Sequence, residues 1–286
     1  MNPPPNTSEV IANAYREDLA DRGDITSMAV LDPNHRSSGV IVARDPGCVA
    51  GVGVMRECFA HIDPATRFVG HQSDGDIVEA GTPILEVDAR TVSLLKAERV
   101  ALNLFGRMSG IATATRAFVE AVEGTNTRIT DTRKTTPGLR ALEKYAVTVG
   151  GGVNHRFGLY DAILIKDNHI AATGSIRTAV EAARAAVGGT VIVEVEVDTL
   201  DQLDEVLHTD ADRVLLDNMS IDDLASAVER VDGRMVTEAS GGVTLETVRS
   251  IAETGVDIIS VGWLTHSVRS LDVALDILQR RGESDL

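Results

Sequence analysis

Apolar residues recur at helical spacing near the start of the chain, where Val10, Ile11, Ala14, Tyr15 and Leu19 share one face of a helix over residues 8–20. Asp21-Arg22-Gly23-Asp24 then turns the chain. From Ser38 to about Val87 the period shortens to β-like runs, GVIVAR, CVAGVGV, DIV and PILEV, punctuated by glycine. A helical pattern returns over residues 90–106 and, past Ser109-Gly110, over 111–123. Beyond Arg128 the chain becomes regular. Six apolar runs (TRITDTR, DAILIKDN, TVIVEVEV, DRVLLDN, RMVTEAS and DIISVGW) alternate with helix-like segments, and each reads as a buried parallel strand. Thr199 with Gln202, and Ser220 with Asp223, have capping-box spacing at the starts of two of those helices.

Six βα units in succession predict an α/β barrel. In such a barrel the side chains at the C-terminal ends of the strands converge on one face. Here the polar ends fall at Arg133, Lys166, Glu196, Asp217, Ser240 and Gly262, so the topology turns them into a list of candidate site residues. The earlier stretch DGDIVEAGTPILEV resembles the hammerhead of biotinyl and lipoyl carrier domains, but it has no lysine to modify. It therefore predicts a structural half-barrel or sandwich.

Charge changes the picture at one place. The chain carries 43 acidic residues against 27 Lys and Arg, a formal net charge of -16. Only four residues are lysine, and Lys134, Lys144 and Lys166 all lie within residues 131–169 beside Arg133, His155 and Arg156. A cluster of cations in so acidic a chain points to an anionic small molecule, since guanidinium forks grip carboxylate and phosphate in bidentate fashion. The acidic balance and 3% aromatic content argue against nucleic acid. No apolar run approaches the roughly 18 residues of a membrane span, and the Pro-rich start lacks a signal-peptide core, so a soluble, cytoplasmic protein is expected. Few lysines among many acids suggest a high-salt cytoplasm, where self-repulsion is screened. Cys48 and Cys58 match no metal or redox spacing and are expected to be buried free thiols.

Ser240-Gly241-Gly242 and Ser260-Val261-Gly262, after the last two strands, suit a phosphate, because small residues let backbone N–H groups approach the anion and a following helix N-terminus adds a favourable dipole. An ordinary turn is the alternative. Glu194, Glu196 and Asp217 are acids in apolar runs, with Glu194 and Glu196 on one side of a strand. Either they form a salt-bridge network with Lys134 and Lys166, or they hold sugar hydroxyls or a Mg²⁺ with its phosphates. Arg99, mid-helix among apolar neighbours, reads as a snorkelling surface arginine. His169 and His266 read as orienting groups, and His155 as a ligand-facing one.

The blocks EDLADRGDIT, AERVALNLFGRMSGIAT, DTRKTTPGLRALEKYAVTVGGGVNHRFGLYDAILIKDNHI, VEVEV, LLDNM, EASGGV and ISVGWLTHS resemble, over nearly the whole chain, the quinolinate phosphoribosyltransferase family. The resemblance implies an α/β protein: an N-terminal hammerhead-like α/β sandwich (1–108), a C-terminal incomplete α/β barrel of about six βα units (109–270), and a last helix (271–286) packing back on the first domain. It implies transfer of phosphoribosyl from phosphoribosyl pyrophosphate to quinolinate with decarboxylation, giving nicotinate mononucleotide in NAD biosynthesis. Carried over by motif, Arg133, His155, Arg156 and Lys166 would bind the quinolinate carboxylates, with Thr132 beside them. Lys134 would stand where pyridine and phosphoribosyl pyrophosphate meet. Glu196 and Asp217 would hold the ribose and Mg²⁺, directly or through the substrate. Ser240, Gly241, Gly242, Ser260, Val261 and Gly262 would cradle the 5′-phosphate. Arg99 would reach into the partner subunit's site, making a homodimer the smallest working unit. Trp263 stands where the family usually has a small residue. The alternatives are a nicotinate phosphoribosyltransferase, which handles one carboxylate without decarboxylation, and a non-catalytic phosphate-sugar-binding barrel.

Overall fold

The structure, a computed structural model, describes residues 3–278. It divides into two compact units that interleave along the chain. The first takes the residues up to Ala114, Thr135–Gly150 and the stretch from Ser267; the second takes Thr115–Lys134 and Gly151–His266. Segment 135–150 thus belongs with the first unit although it lies between strands of the second.

The first unit opens with α1 (Thr7–Leu19) and α2 (Ile25–Val30), the latter capped by Asp24, whose carboxylate accepts the Thr26 and Ser27 amides. Then come β1 (Arg36–Ala43), β2 (Gly47–Cys48), α3 (Val52–Ile62), β3 (Arg67–Gly70), β4 (Ile77–Val78), β5 (Pro83–Arg90) and the long α4 (Thr91–Ala121). Later segments add α5 (Arg140–Val149) and β12 (Val273–Leu278). A four-stranded sheet has the order β12-β1-β5-β3, and β2 pairs with β4. The Tyr15 hydroxyl reaches the carbonyls of Cys58 and Ala97, each at 3.1 Å, and so ties α1 to α3 and α4 through one buried group. Both cysteines are buried free thiols, and burial, with Glu57 nearby, pushes Cys58 up to about 12.

Three readings of this unit are corrected. The run CVAGVGV is strand only at its first residue, Cys48, the end of β2, because Val52, Met55 and Phe59 recur at helical spacing into the core as α3. The two helices expected on either side of Ser109-Gly110 are one. Here the glycines are close-approach sites: a Cβ on Gly110 would lie 2.2 Å from the Arg269 carbonyl oxygen, and one on Gly106 2.8 Å from that of Leu271. The expected final helix is, over Val273–Leu278, the edge strand β12, paired antiparallel with β1 from Ser38↔Leu278 to Ala43↔Val273. The open edge of β1 takes up the segment's backbone donors and acceptors. Gly39, bare at its Cα, leaves room for Leu275 in that pairing. Residues 279–286 of the expected helix lie outside the described residues.

The second unit contains β6 (Arg128–Thr130), β7 (Ile163–Ile165), β8 (Val193–Val197), β9 (Arg213–Asp217), β10 (Val236–Ser240) and β11 (Ile258–Ser260). Its helices are α6 (Asp167–Thr173), α7 (Ile176–Val187), α8 (Leu200–Val206), α9 (Ile221–Val231), α10 (Val248–Glu253) and α11 (Trp263–His266). The six strands are all parallel, in the order β6-β11-β10-β9-β8-β7. Neighbours in sequence, β6 and β7 are the two ends of the sheet and do not pair. Val153 instead bridges to Thr130, and the curl stays open: an incomplete barrel. Helix starts follow the sequence signals, with Thr199 accepting the Gln202 amide and Ser220 the Asp223 amide.

Candidate active site

Alternation along the parallel strands decides what faces the inside. Val193, Val195 and Val197 of β8 are buried on its far side, which leaves Glu194 and Glu196 pointing inward. The ladder sets Glu196 beside Leu215, and Ser240 beside Asp217. A cleft of about 370 Å³ at the C-terminal ends is lined by Thr132, Arg133, Lys134, His155, Arg156, Leu164, Lys166, Glu196, Leu215, Asp217, Glu238, Ser240 and Ser260.

Cations form one side of it. Arg156 donates to the Ala162 carbonyl at 3.1 Å, and burial and the neighbouring Arg133 push its guanidinium below its ordinary value. Like charges held this close require an anion between them or acids beneath them. The acids are there. Glu194 and Glu238, both almost wholly buried, approach His155 Nε2 at 3.1 and 3.5 Å. Burial works to lower the His155 pKa, yet the two carboxylates outweigh it and lift it to about 9. Burial and the Glu238 charge in turn raise Glu194, against the pull of His155. The Arg156 amide lies 2.7 Å from the other ring nitrogen, Nδ1, and Nε2 is the nitrogen that faces the acids. Asp131, fully buried, accepts the His155 amide at 3.0 Å and fixes the backbone below the ring.

Lys134 stands between the cations and the glycine turns. Its carbonyl accepts the buried Thr265 hydroxyl at 2.8 Å, and its amide donates to Thr132 Oγ1 at 3.0 Å. A Cβ on Gly262 would lie 3.1 Å from Lys134 Cδ, so the lysine stem crosses the turn where no side chain stands. Gly241 and Gly242 have φ of 95° and 60°, a left-handed conformation suited to glycine. Asn218 closes over the same turn: its amide donates to the Ser240 carbonyl at 2.9 Å, and its side chain donates to Asp217 at 2.6 Å. The helix expected directly after Ser240-Gly241-Gly242 starts only at Val248, because a turn closed by the Thr244 and Thr247 hydroxyls intervenes.

Glu196 is paired with Lys166 and, with Asp217, also walls a second cleft of about 440 Å³ that holds Asp167 and Asp198. All the carboxylates there are oxygen donors of the kind a hard cation such as Mg²⁺ takes. His169 accepts the Lys166 amide at 2.9 Å, in keeping with the orienting role read from sequence.

Fourteen of the fifteen residues singled out in sequence therefore lie in the second unit. Arg99 does not: it is exposed on α4 and lines a groove of the first unit with α1 residues and Thr136–Leu139. Val261 needs correcting as a cradle donor, since its amide is committed to the Thr130 carbonyl at 2.9 Å and its side chain is buried. Sequence reasoning missed Glu238, Asp131, Asn218, Asp167 and Asp198. A signal for Glu238 existed: it lies two residues before Ser240 in TEAS and so points the same way.

Fold and site together define an open α/β barrel whose strand ends join a cationic pocket to an acidic wall and glycine turns. The sequence matches the quinolinate phosphoribosyl transferase N-terminal domain over residues 24–109 and the C-terminal domain of the same name over residues 111–276. The chain belongs to that family. It is 49% identical over 276 residues to the nicotinate-nucleotide pyrophosphorylase (carboxylating) of Mycobacterium leprae, covering 94% of this chain and 96% of that one. It is 45% identical over 269 residues to the probable enzyme of that name from Bacillus subtilis, covering 94% and 92%. The crystal structure of nicotinate-nucleotide pyrophosphorylase from Ehrlichia chaffeensis superposes with a TM-score of 0.91 at 43% identity, covering 95% of this chain and 98% of that one.

Proposed function

We infer that this chain is a decarboxylating quinolinate phosphoribosyltransferase of NAD biosynthesis, and that the cleft of the second unit is its active site. One observation carries the assignment to this cleft. Arg133, His155, Arg156 and Lys166, from three segments of the chain, line a single pocket together with Lys134, Glu196, Asp217 and the serines that lead into the glycine turns, Ser240 and Ser260. Four cations suit a dicarboxylate better than the single carboxylate of nicotinate.

Arg133, His155, Arg156 and Lys166 hold the two quinolinate carboxylates and fix the ring. Lys134 lies beside the ring nitrogen and the phosphoribosyl donor. Ser240, Gly241, Gly242, Ser260 and Gly262 receive the 5′-phosphate. Glu196 and Asp217 face the ribose, where their charge, placed in advance, stabilises oxocarbenium character as pyrophosphate leaves. The pyridine nitrogen bonds to the ribose carbon and becomes cationic; the electron pair from the breaking carboxyl bond is then stabilised at ring carbon 2 as CO₂ departs, and a proton replaces it. Glu196 and Asp217, with Asp167 and Asp198 alongside, are the residues that would hold Mg²⁺, directly or through the pyrophosphate. When bound, Mg²⁺ neutralises charge on the leaving pyrophosphate.

Arg99 is assigned to the site of a partner subunit, which makes the working unit a homodimer at least. Among the described residues no helix is long and apolar enough to cross a membrane. A soluble protein acting in the cytoplasm fits this reading.

Equilibrium binding tests the pocket. Quinolinate should bind at least about 10-fold tighter than nicotinate, the worth of one additional charge-assisted contact. Equal affinities would remove the dicarboxylate reading.

A further inference from the structure

The resemblance left Trp263 unexplained, and its surroundings give it a task. The chain's sole tryptophan directly follows Gly262. Its indole packs edge-to-face on the fully buried Phe118, with centroids 5.2 Å apart and planes at 65°. Its Nε1–H donates to the carbonyl of Val243 at 3.3 Å. Val243 is the residue after Gly242, so this bond joins the turn that follows β11 to the end of the turn that follows β10.

That second turn needs an anchor. Gly241 and Gly242 are consecutive residues at positive φ with no side chains of their own to hold them. The upstream end is fixed by the Asn218 amide on the Ser240 carbonyl. The downstream end is fixed by the buried Val243 side chain and by the indole, which Phe118 holds in turn. A glycine turn pinned at both ends loses less freedom when an anion enters, and that difference is expressed as affinity.

We propose that Trp263 is a positioning residue for the phosphate cradle, strapping its two turns together so that they are set for the 5′-phosphate of phosphoribosyl pyrophosphate before it binds. The proposal rests on the reading of these turns as the phosphate site. It predicts an effect on one substrate only, because Trp263 reaches the glycine turn and is absent from the lining of the cationic pocket.

The test is steady-state kinetics of the full chain with each substrate varied, in the wild type, Trp263→Phe, Trp263→Ala and Gly242→Ala. Phenylalanine keeps the ring against Phe118 and loses only the N–H, so KM for phosphoribosyl pyrophosphate should rise on the order of 5-fold, the worth of one hydrogen bond. Alanine should raise it further, while KM for quinolinate stays within about 2-fold in both. Gly242→Ala strains a backbone held at φ of 60° and puts a methyl group on the open side of the turn, and should raise the same KM. If Gly242→Ala raises it and Trp263→Phe does not, the strap is wrong and the phosphate site stands. If neither variant moves it, the phosphate reading itself falls. Equal rises in both KM values for Trp263→Phe would reduce Trp263 to a general packing residue and overturn the proposal.

Discussion

Lys134 is the side chain on which the proposed chemistry most depends, and the structure explains its position: the Thr265 hydroxyl holds its carbonyl and Gly262 yields the space for its stem. Lys134→Ala removes an exposed amine from a backbone held by other groups. Turnover should fall about 100-fold or more while the melting temperature stays within a few degrees. Near-wild-type turnover would take Lys134 out of the mechanism. A second residue-scale prediction concerns Glu238. It shares the His155 ring with Glu194, so Glu238→Gln should bring the His155 pKa down from about 9 toward its ordinary 6.5, read by NMR titration of the ring, and should raise KM for quinolinate about 10-fold. The sign for stability follows. A raised histidine contributes fully below its unfolded value near 6.5, and that contribution is lost as pH rises through about 9. An unshifted pKa in the variant would show that Glu238 does not act on the ring. Of this cluster, Glu194 was read as an acid on one side of its strand from alternation, whereas Glu238 was missed although alternation from Ser240 points to it, because Thr237 and Ser240 dilute the apolar signal that marks its short strand.

At the scale of elements, α4 shows how a local signal is overridden. Ser109-Gly110 reads as a break, yet the helix runs through it because Gly106 and Gly110, one turn apart, form the notch on which Arg269–Leu271 rests. The Leu271 amide seals it by donating to the Gly106 carbonyl at 2.9 Å. Gly110→Ala would place a methyl group against backbone that has nowhere to move, and should cost about 1–3 kcal/mol in denaturant unfolding. A neutral effect would mean that the Arg269 segment can lift away. The same physics made β12 illegible. VALDIL has no strict alternation, and its strand state comes from the open edge of β1, a partner more than 200 residues away. The barrel strands were legible because each is a short β-branched run closed by a polar residue, a signal carried within the element itself. That the barrel is incomplete was expected only through the family resemblance, and the strand order, which leaves β6 and β7 unpaired with each other, was not read from the sequence.

At the scale of the molecule, the first question is what completes the site. If Arg99 serves a partner subunit while Lys134 serves its own, Arg99→Ala and Lys134→Ala should each be nearly inactive alone. Their mixture, after subunit exchange, should recover up to about a quarter of wild-type activity, because half of the dimers are mixed and each carries one intact site. No recovery, with exchange shown by mass, would place Arg99 and Lys134 on one chain's site, and full activity of Arg99→Ala alone would remove Arg99 altogether. The formal charge of -16 has its own consequence. Self-repulsion among exposed acids is screened by salt, so the melting temperature should rise between low and molar KCl. A fall would contradict the reading of a salt-adapted surface.

The central claim is that the cationic cleft receives a dicarboxylate and releases one of its carboxyl groups. Its most direct test is CO₂ release from carboxyl-labelled quinolinate with phosphoribosyl pyrophosphate and Mg²⁺, at low and molar KCl, beside a tube in which nicotinate replaces quinolinate. CO₂ release that requires phosphoribosyl pyrophosphate, with nicotinate left unconsumed, is the predicted result. Consumption of nicotinate without CO₂ from quinolinate at any salt would contradict it.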